Sequence, residues 1–437
     1  MQAAQAPPGP RLDCLVTRFT SSFTFVALLF ALLCAPLLFS PGENAYTYDE
    51  VSYHLPAIRQ IQQQWPRLDV NADSLSATAP GYHYALATLS MATGSHVLVL
   101  RLATWVLSLG LLALLWRLFD QSHRPLAVAA LLPLACSNFY VKSASWIVTD
   151  NPALLGMAAT LAAVLFIQGR HGTWLGGILA AVTTFIRQMY IWLVLPVLVS
   201  AVFRLFKRRD RGYPVIDLAS ALPACAILAL LIGSWGGLVP PKWITAHHSP
   251  DSSPLTFLCY LFAVFFIMGV FYQMAFSSDE KFPHFPKIPA IAGALLGLSL
   301  VAMSATNYNP QAGRWGGYLW AATQHLPSIG GRSLVFILLT PAGAALLAVM
   351  ISRLLQRANG IIAFPWIVAF AAWAVSSLPN TQIFHRYYEP AIIIFLILWT
   401  LLMLRAGAVA RPAWLRLLSV IQILVTLATA HYRVYFT

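Results

Sequence analysis

Long apolar runs separated by short polar segments fill most of the 437 residues. A helix needs roughly 20 mostly apolar residues to cross the hydrocarbon core of a bilayer. The hydrophobic pattern therefore predicts about thirteen transmembrane helices, with allowance for tilt in the shorter segments. They are expected at residues 20–40, 96–118, 125–140, 151–168, 173–187, 190–206, 214–236, 254–276, 288–305, 331–351, 361–378, 390–406 and 413–430.

The composition is that of a membrane protein. Hydrophobic residues make up 59% of the chain and charged residues 9%, whereas a soluble domain carries about 25% charged residues. A water-soluble enzyme is therefore excluded, and we predict one all-α polytopic membrane domain over residues 1–437. Arg11 and Arg18 precede a long apolar run without a convincing cleavage site, so we expect the first span to be retained. The five cysteines show no paired motif for disulfides or zinc.

The formal net charge of +13 is explained by membrane topology, without nucleic acid as a partner. With the N-terminus placed in the cytoplasm, most Lys and Arg residues fall in short loops on that side, as the positive-inside rule requires. The long loops then face outward, at residues 41–95, 141–150, 237–253, 306–330 and 379–389. Loops on a rigid scaffold carry function, so the site is expected on the external or lumenal face.

The first outer loop, residues 41–95, contains two predicted interfacial helices. From Asp49 to Gln64 the apolar residues recur at helical spacing, namely Val51, Leu55, Ile58 and Ile61, and Pro56 is expected to kink this helix. A second helix is expected to start at Pro80-Gly81 and to run to Gly94.

Two adjacent acids, Asp49 and Glu50, are the candidate catalytic residues of this loop. Neighbouring side chains on a helix point about 100° apart, so the pair does not form two facing carboxylates. One acid can point into a cavity while the other caps or braces the structure. From spacing alone, simple helix capping is the favoured alternative interpretation of both acids.

Outer-side cations form the second group of candidates, and they are Lys142, Arg187, Arg314 and Arg386. Arg187 lies among apolar residues near membrane depth, where an unpaired charge is costly and normally faces a polar cavity. A phosphate or a carboxylate is its natural partner. Alternatively, Arg187 snorkels to the interface or forms a structural pair with Asp150 or Glu389.

Aromatic residues flank these positions, and most belong to the aromatic belt of a membrane protein. The stretch from Arg314 to Trp320 is a candidate stacking surface for a saccharide. No histidine motif has metal-ligand spacing, and no nucleotide-binding loop or serine-hydrolase elbow is present. We therefore expect no required cofactor, and a divalent metal ion is left open because no ligand cluster demands one.

Three segments, in this order, resemble the dolichyl-phosphate-glucose α-1,2-glucosyltransferases of N-glycan precursor assembly, which are members of the GT-C superfamily. They are Tyr48-Asp-Glu-Val-Ser-Tyr-His-Leu-Pro-Ala57 with Gln60 and Trp65, Thr78-Ala-Pro-Gly-Tyr82, and Phe185-Ile-Arg-Gln188 with Trp192. The family has roughly Met-Asp-Glu-x-Phe-His-x-Pro, Thr-Pro-Pro-Gly-Leu-Tyr and Phe-Arg-Gln-Thr-Asn-x-x-Trp. Ala79, Met189 and Tyr190 depart from it, and His385-Arg386-Tyr387 resembles its Asn-Arg-His-Tyr motif only loosely.

The resemblance implies a GT-C-like bundle that performs an inverting transfer of a hexose, with glucose expected, from a polyprenyl-phosphate donor to a saccharide or lipid-linked acceptor. It makes Asp49 the favoured general base, with Glu50 second. It assigns the donor phosphate to Arg187, Arg386 and Lys142, in that order, and the acceptor to His54, Tyr82 and Arg314.

The source membrane and the function class each have an alternative. No Asn-x-Ser/Thr sequon occurs and the loops are compact, so we expect a bacterial cytoplasmic membrane with a periplasmic site, or else an endoplasmic reticulum membrane with a lumenal one. Many spans with intramembrane charge also fit a transporter or flippase of a lipid-linked or anionic solute, but no internal repeat of the usual kind is found. An inactive scaffold subunit is a third interpretation.

Overall fold

The computed structural model describes the chain from residue 22 to residue 431 with several gaps. The described residues are 22–40, 45–67, 75–94, 96–167, 169–207, 214–244, 253–277, 286–358, 360–380 and 382–431. Arg11, Arg18 and parts of the first outer loop, at residues 41–44, 68–74 and 95, lie outside them.

Helices occupy each region that the hydrophobic pattern assigned to a span. They are α1 (Phe23–Phe39), α2 (Ala45–Asp49), α3 (Leu55–Gln64), α4 (Gly81–Thr93), α5 (Val97–Arg117), α6 (Arg124–Ala135), α7 (Asn138–Ser145), α8 (Asp150–Phe166), α9 (Gly169–Ile186), α10 (Val194–Lys207), α11 (Pro214–Leu218), α12 (Leu222–Trp235), α13 (Pro241–Ile244), α14 (Pro254–Ala275), α15 (Lys287–Met303), α16 (Tyr318–His325), α17 (Leu334–Arg357), α18 (Gly360–Ser377), α19 (Glu389–Arg405) and α20 (Ala413–Thr426). Shorter 3-10 or π segments are Glu50–His54, Gln121–His123, Gln188–Leu193, Ala219–Ala221, Pro310–Ala312, His385–Tyr387 and Leu427–His431.

The predicted class, an all-α polytopic membrane protein, is confirmed. Within the described ranges, five helices are long and apolar enough to cross a membrane, and α6 with α7 makes a sixth if this pair, bent by 70°, counts as one span. Shorter apolar helices of 10–17 residues fill most of the other predicted regions. The span number near thirteen stays a prediction.

One small β-hairpin interrupts the helices and was not predicted. Strand β1 (Ser328–Ile329) pairs antiparallel with β2 (Arg332–Ser333). Gly330 and Gly331, between them, both have positive φ, at 56° and 76°, as a two-residue hairpin turn requires. Sequence periodicity missed it because two residues per strand are too short for a pattern.

The centre of the bundle is α19, whose residues from Glu389 to Leu404 are all buried. A helix that is apolar all round is a buried helix, and α19 packs against α6, α14, α17 and α18. The polar network described below lies at its first turn. By contrast, α15 exposes Ile288, Ile291 and Leu295 on the periphery.

The first outer loop contains both predicted helical segments, but the first one is not a continuous α-helix. A π turn covers Glu50–His54, and the Leu55 amide donates to the Glu50 carbonyl, five residues back. Leu55 and Ile58 are buried against α4, whereas Val51 is 58% exposed. The prediction that Val51 shares their apolar face was wrong, because the extra residue in the turn shifts the helical register.

Candidate functional site

An ion pair between Asp49 and Arg386 lies at the centre of the candidate site. Asp49 ends α2 in the first outer loop, and Arg386 lies in the 3-10 turn that precedes α19. The distance from Asp49 Oδ2 to Arg386 Nη1 is 2.7 Å, and the side chains are 20% and 13% exposed. Helix ends that are more than 330 positions apart in the sequence therefore bring a carboxylate and a guanidinium together.

A second ion pair joins Arg187 to Asp150. Asp150 is the first residue of α8, and Arg187 has an extended backbone between α9 and the following 3-10 helix. The two ion pairs share the ring of Tyr387, whose centroid lies 5.1 Å from the guanidinium of Arg187 and 4.9 Å from that of Arg386. Such distances are in the range of cation–π attraction.

Asp49, Asp150, Arg187 and Arg386 therefore form one charge-balanced group, which we call the four-charge cluster. Burial raises the pKa of Asp49 above its usual value, and the charge and hydrogen bond of Arg386 oppose this rise. Asp150 and Arg187 also act on the pKa of Asp49, in opposite directions. The carboxylate is therefore partly withdrawn from water but held beside a cation, which is a suitable setting for a base.

The other predicted catalytic acid, Glu50, is 1% exposed and fully engaged with Arg101 of α5. Arg101 Nη2 lies 2.6 Å from Glu50 Oε1 and Arg101 Nε lies 3.0 Å from Glu50 Oε2. The Ile147 amide also donates to Glu50 Oε2, at 2.9 Å. Glu50 thus braces the loop, while Asp49 reaches the cluster.

Arg101 was not among the candidates, although its signal was in the sequence. It lies within the apolar run of the second predicted span, where a charge needs a partner. Its Nη1 donates to the carbonyls of Leu38 and Ser40, at 2.9 and 3.0 Å, and so closes the end of α1. The same guanidinium fastens α1 to the loop that carries Asp49.

His54 is buried and forms a hydrogen bond with His83, with 2.8 Å between Nδ1 of His54 and Nε2 of His83. Burial is the main cause that lowers the pKa of both rings, for His83 to about 4. Arg386 and Arg187 lower the pKa of His54 further. The predicted acceptor contact His54 is therefore a neutral ring close to the two cations.

The structure gives the three remaining predicted site residues other partners. Tyr82 is buried, and its hydroxyl bonds to Thr104 of α5. Arg314 Nε donates to the Asn307 carbonyl at 2.9 Å, within the loop before α16. Lys142 Nζ lies 3.5 Å from the Thr429 carbonyl. Of the predicted residues, the four-charge cluster thus brings together Asp49, Arg187 and Arg386.

The second and third of the segments that carry the family resemblance meet in space. The Ala79 amide donates to Gln188 Oε1 at 2.8 Å, and Gln188 Nε2 donates to the carbonyls of Ala77 and Leu238 at 2.8 and 3.2 Å. A Cβ at Gly81 would lie 2.5 Å from Phe185 Cδ1 and 2.6 Å from its carbonyl oxygen. Gly81 thus allows α4 to touch the end of α9, directly beside Arg187.

A buried network holds the turn that carries Arg386. His385 Nδ1 lies 2.7 Å from the Tyr260 hydroxyl, and its Nε2 lies 2.8 Å from Glu389 Oε2. Ser137 and Gln422 donate to Glu389 Oε1 at 2.6 and 3.2 Å. In the sequence this stretch is only a loose motif, because its partners come from three distant helices.

The predicted stacking surface from Arg314 to Trp320 is only partly available. Trp320 is fully buried, and its Nε1 donates to the Ile383 carbonyl at 2.8 Å. Trp315 is 41% exposed and packs edge-on against Phe384. Trp320 therefore belongs to the core and offers no face to a saccharide.

In the part of the chain that the structure describes, no group of three or more His, Cys, Asp and Glu residues could hold a metal ion. His247 and His248 lie outside that part.

Comparison with known proteins gives a distant likeness in fold. No protein-family model matches the sequence, and no curated protein matches it. One solved structure that matches is described as ArnT from Cupriavidus metallidurans bound to undecaprenyl phosphate, with 14% sequence identity and a TM-score of 0.44. The match covers 91% of this chain, which spans 61% of that structure's length. At this similarity, function has to be inferred from the residues of this chain.

Proposed function

We propose that the protein is a glycosyltransferase that moves a hexose from a polyprenyl-phosphate donor to a hydroxyl of a saccharide or lipid-linked acceptor, with inversion. Glucose is the expected sugar, and a bacterial periplasmic face is the expected location. The observation that carries the proposal is the four-charge cluster, in which a partly buried carboxylate from the first outer loop pairs with Arg386 and feels the charge of Arg187, which itself pairs with Asp150. The resemblance of three sequence segments to such transferases supports it.

Asp49 would act as the general base. Its carboxylate removes the proton of the acceptor hydroxyl while the acceptor oxygen bonds to the anomeric carbon and the bond from that carbon to the phosphate oxygen breaks. Attack from the face opposite the phosphate gives inversion. Such positioned proton transfer contributes roughly 10²- to 10⁴-fold in rate, and the raised pKa of Asp49 makes it a stronger base than an exposed aspartate.

Arg386 and Arg187 would hold the leaving phosphate. Fixed cations in a water-poor site stabilise charge that develops there. Arg386 Nη2 donates to the Tyr387 hydroxyl at 2.9 Å and its Nη1 faces Asp49. Its Nε is buried and has no hydrogen-bond acceptor among the described residues. A buried donor without a partner calls for explanation, and a phosphate oxygen of the donor would satisfy it.

The test is transfer from a synthetic polyprenyl-phosphate glucose by purified protein in lipid nanodiscs, with release of polyprenyl phosphate as the readout. Asp49→Asn is expected to lower the rate at least about 100-fold, because the base is lost. Arg386→Ala is expected to raise the KM for the donor as well. Asp217→Asn is the matched control, since it removes the carboxylate of an ion pair with the half-exposed Arg170.

Two outcomes would count against the proposal. Unimpaired transfer by Asp49→Asn would reject Asp49 as the base. Counterflow of the lipid-linked sugar in proteoliposomes without any covalent product would favour a transporter.

A further inference from the structure

Three aromatic side chains, which we call the aromatic triad, form a row of ring contacts that starts at the residue before Asp49 and lies outside the four-charge cluster. They are Tyr48, Tyr53 and Trp243. The ring centroids of Tyr48 and Tyr53 are 5.6 Å apart, and those of Tyr53 and Trp243 are 5.0 Å apart, in both cases edge to face. Tyr48 is 60% exposed, so the triad presents aromatic surface outward.

The π turn brings the two tyrosines together. Residues five apart in an α-helix point about 140° away from each other, so Tyr48 and Tyr53 would face different sides. The π turn over Glu50–His54, with its hydrogen bond between residues five apart, returns them to one side. Such turns occur frequently at functional sites, and this one also places Asp49 at its N-terminal boundary.

The two tyrosines and Trp243 are each connected to the candidate site. Tyr48 precedes Asp49 in the chain, and the Tyr48 hydroxyl, burial and the charge of Asp49 together raise the pKa of Tyr53 to about 12. Trp243 lies on α13, shortly after Leu238, whose carbonyl accepts a hydrogen bond from Gln188 at 3.2 Å. Gln188 is the residue that follows Arg187, so the segment leading to Trp243 is fastened beside the four-charge cluster.

The chemistry of the triad suits a sugar ring. Aromatic rings carry negative charge on their faces and positive charge at their edges, so their faces attract the C–H groups of a pyranose. The polar ends of Tyr and Trp can bond to sugar hydroxyls. Residues of the aromatic belt need only contact lipid. That role does not explain why the rings of Tyr48 and Tyr53 pack against each other next to Asp49.

We propose that Tyr48, Tyr53 and Trp243 bind the sugar ring of the acceptor saccharide, next to Asp49. This inference rests on the proposed function, because the triad would hold the acceptor hydroxyl within reach of the base. It assigns acceptor binding to residues other than Tyr82 and Arg314, whose polar groups have partners in the surrounding structure.

The experiment is saturation-transfer NMR on the full chain in phosphatidylethanolamine–phosphatidylglycerol nanodiscs, which are free of sugar detergents. The probes are glucose, mannose, N-acetylglucosamine and maltotriose. Signals from at least one sugar are expected with the wild type, and they should weaken about ten-fold in Trp243→Ala and Tyr48→Ala, as loss of one aromatic contact implies. Trp243→Phe should retain most of the signal because it keeps a ring face.

Trp414→Ala is the control, because Trp414 is also exposed, at 39%, but lies on α20. Absence of any sugar signal with the wild type, or equal signals from all variants, would overturn the inference. Transfer of glucose from polyprenyl-phosphate glucose to the added sugars is measured on the same samples, with release of polyprenyl phosphate as the readout. A wild type that binds sugar through the triad but never cleaves the donor would contradict the proposed function and leave the binding assignment intact.

Discussion

Glu50 and Arg101 form a buried bidentate ion pair whose guanidinium also binds the carbonyls that end α1. The pair is adjacent in sequence to Asp49 but has a different role. The ion pair holds the π turn between α1 and α5, and because Asp49 directly precedes this turn, the pair also sets the position of Asp49.

Loss of one partner of this pair should destabilise the protein strongly. Removing one member of a buried ion pair typically costs about 3–5 kcal/mol, because the other charge remains buried without compensation. Arg101→Met and Glu50→Gln should therefore each lower the thermal unfolding midpoint, measured by scanning fluorimetry in nanodiscs. The double variant should be more stable than the sum of the single effects predicts. Additive effects would mean that the two side chains do not depend on each other.

The pH dependence of transfer should follow Asp49. Its raised pKa means that the rate falls as the pH drops through that value, because the protonated carboxyl cannot act as a base. Arg386→Gln removes the cation that opposes the rise, so the acidic limb of kcat/KM should move to higher pH, even if the rate is low. Arg170→Gln, which alters the Asp217 pair, should leave the limb in place. If the acidic limb of the kcat/KM profile does not move in Arg386→Gln, the group that titrates there is not Asp49.

The His54–His83 pair should make the protein less stable in mild acid. Both rings have pKa values below the usual 6.5, for His83 about 4. As the pH falls, the two histidines take up protons in the unfolded chain before they do so in the folded protein. Their contribution to stability is therefore present above pH 6.5 and is lost as the pH falls from 6.5 toward 4. The loss for His83 is on the order of 3 kcal/mol.

Chemical unfolding of the wild type at pH values between 7 and 4 measures this loss. The double variant His54→Gln/His83→Gln should show a flatter dependence. An equally steep decline in the double variant would assign the acid sensitivity to other groups.

Gly81→Ala should disturb the contact between α4 and α9. The added methyl would lie 2.5 Å from Phe185 Cδ1 and 2.6 Å from the Phe185 carbonyl oxygen, so the two segments must move apart beside Arg187. We expect a loss of about 1–3 kcal/mol in stability, together with a lower transfer rate. Gly233→Ala is the control, because its added methyl meets no atom within 4 Å. Equal behaviour of the two variants would show that the close approach is unimportant.

The helices could be predicted from the sequence because each apolar run is long enough to specify a helix whatever its neighbours are. The register of the first outer loop could not, since the π turn that exposes Val51 has no signal in hydrophobic periodicity. Tertiary context alone decides how the residues from Asp49 to His54 are wound.

The candidate site was predictable in part, for a similar reason. A charged residue in an apolar segment needs a polar partner, and this rule indicates Arg187 as a site residue. Applied to the second predicted span, the same rule indicates Arg101. The sequence indicates Asp150 only as a structural partner of Arg187, and no local pattern relates either residue to Tyr387. Contacts between such distant segments depend on helix packing, which the order of residues does not reveal.

Single-turnover transfer by Asp49→Asn, with all of the donor bound, tests the central claim most directly. Donor binding and sugar transfer are measured separately, with labelled polyprenyl-phosphate glucose and protein in excess. The variant is expected to bind the donor at least as tightly as the wild type, because both arginines remain and Arg386 loses its carboxylate partner. It should transfer the sugar at least about 100-fold more slowly, because the base is missing. Transfer at the wild-type rate from a normally bound donor would contradict the central claim.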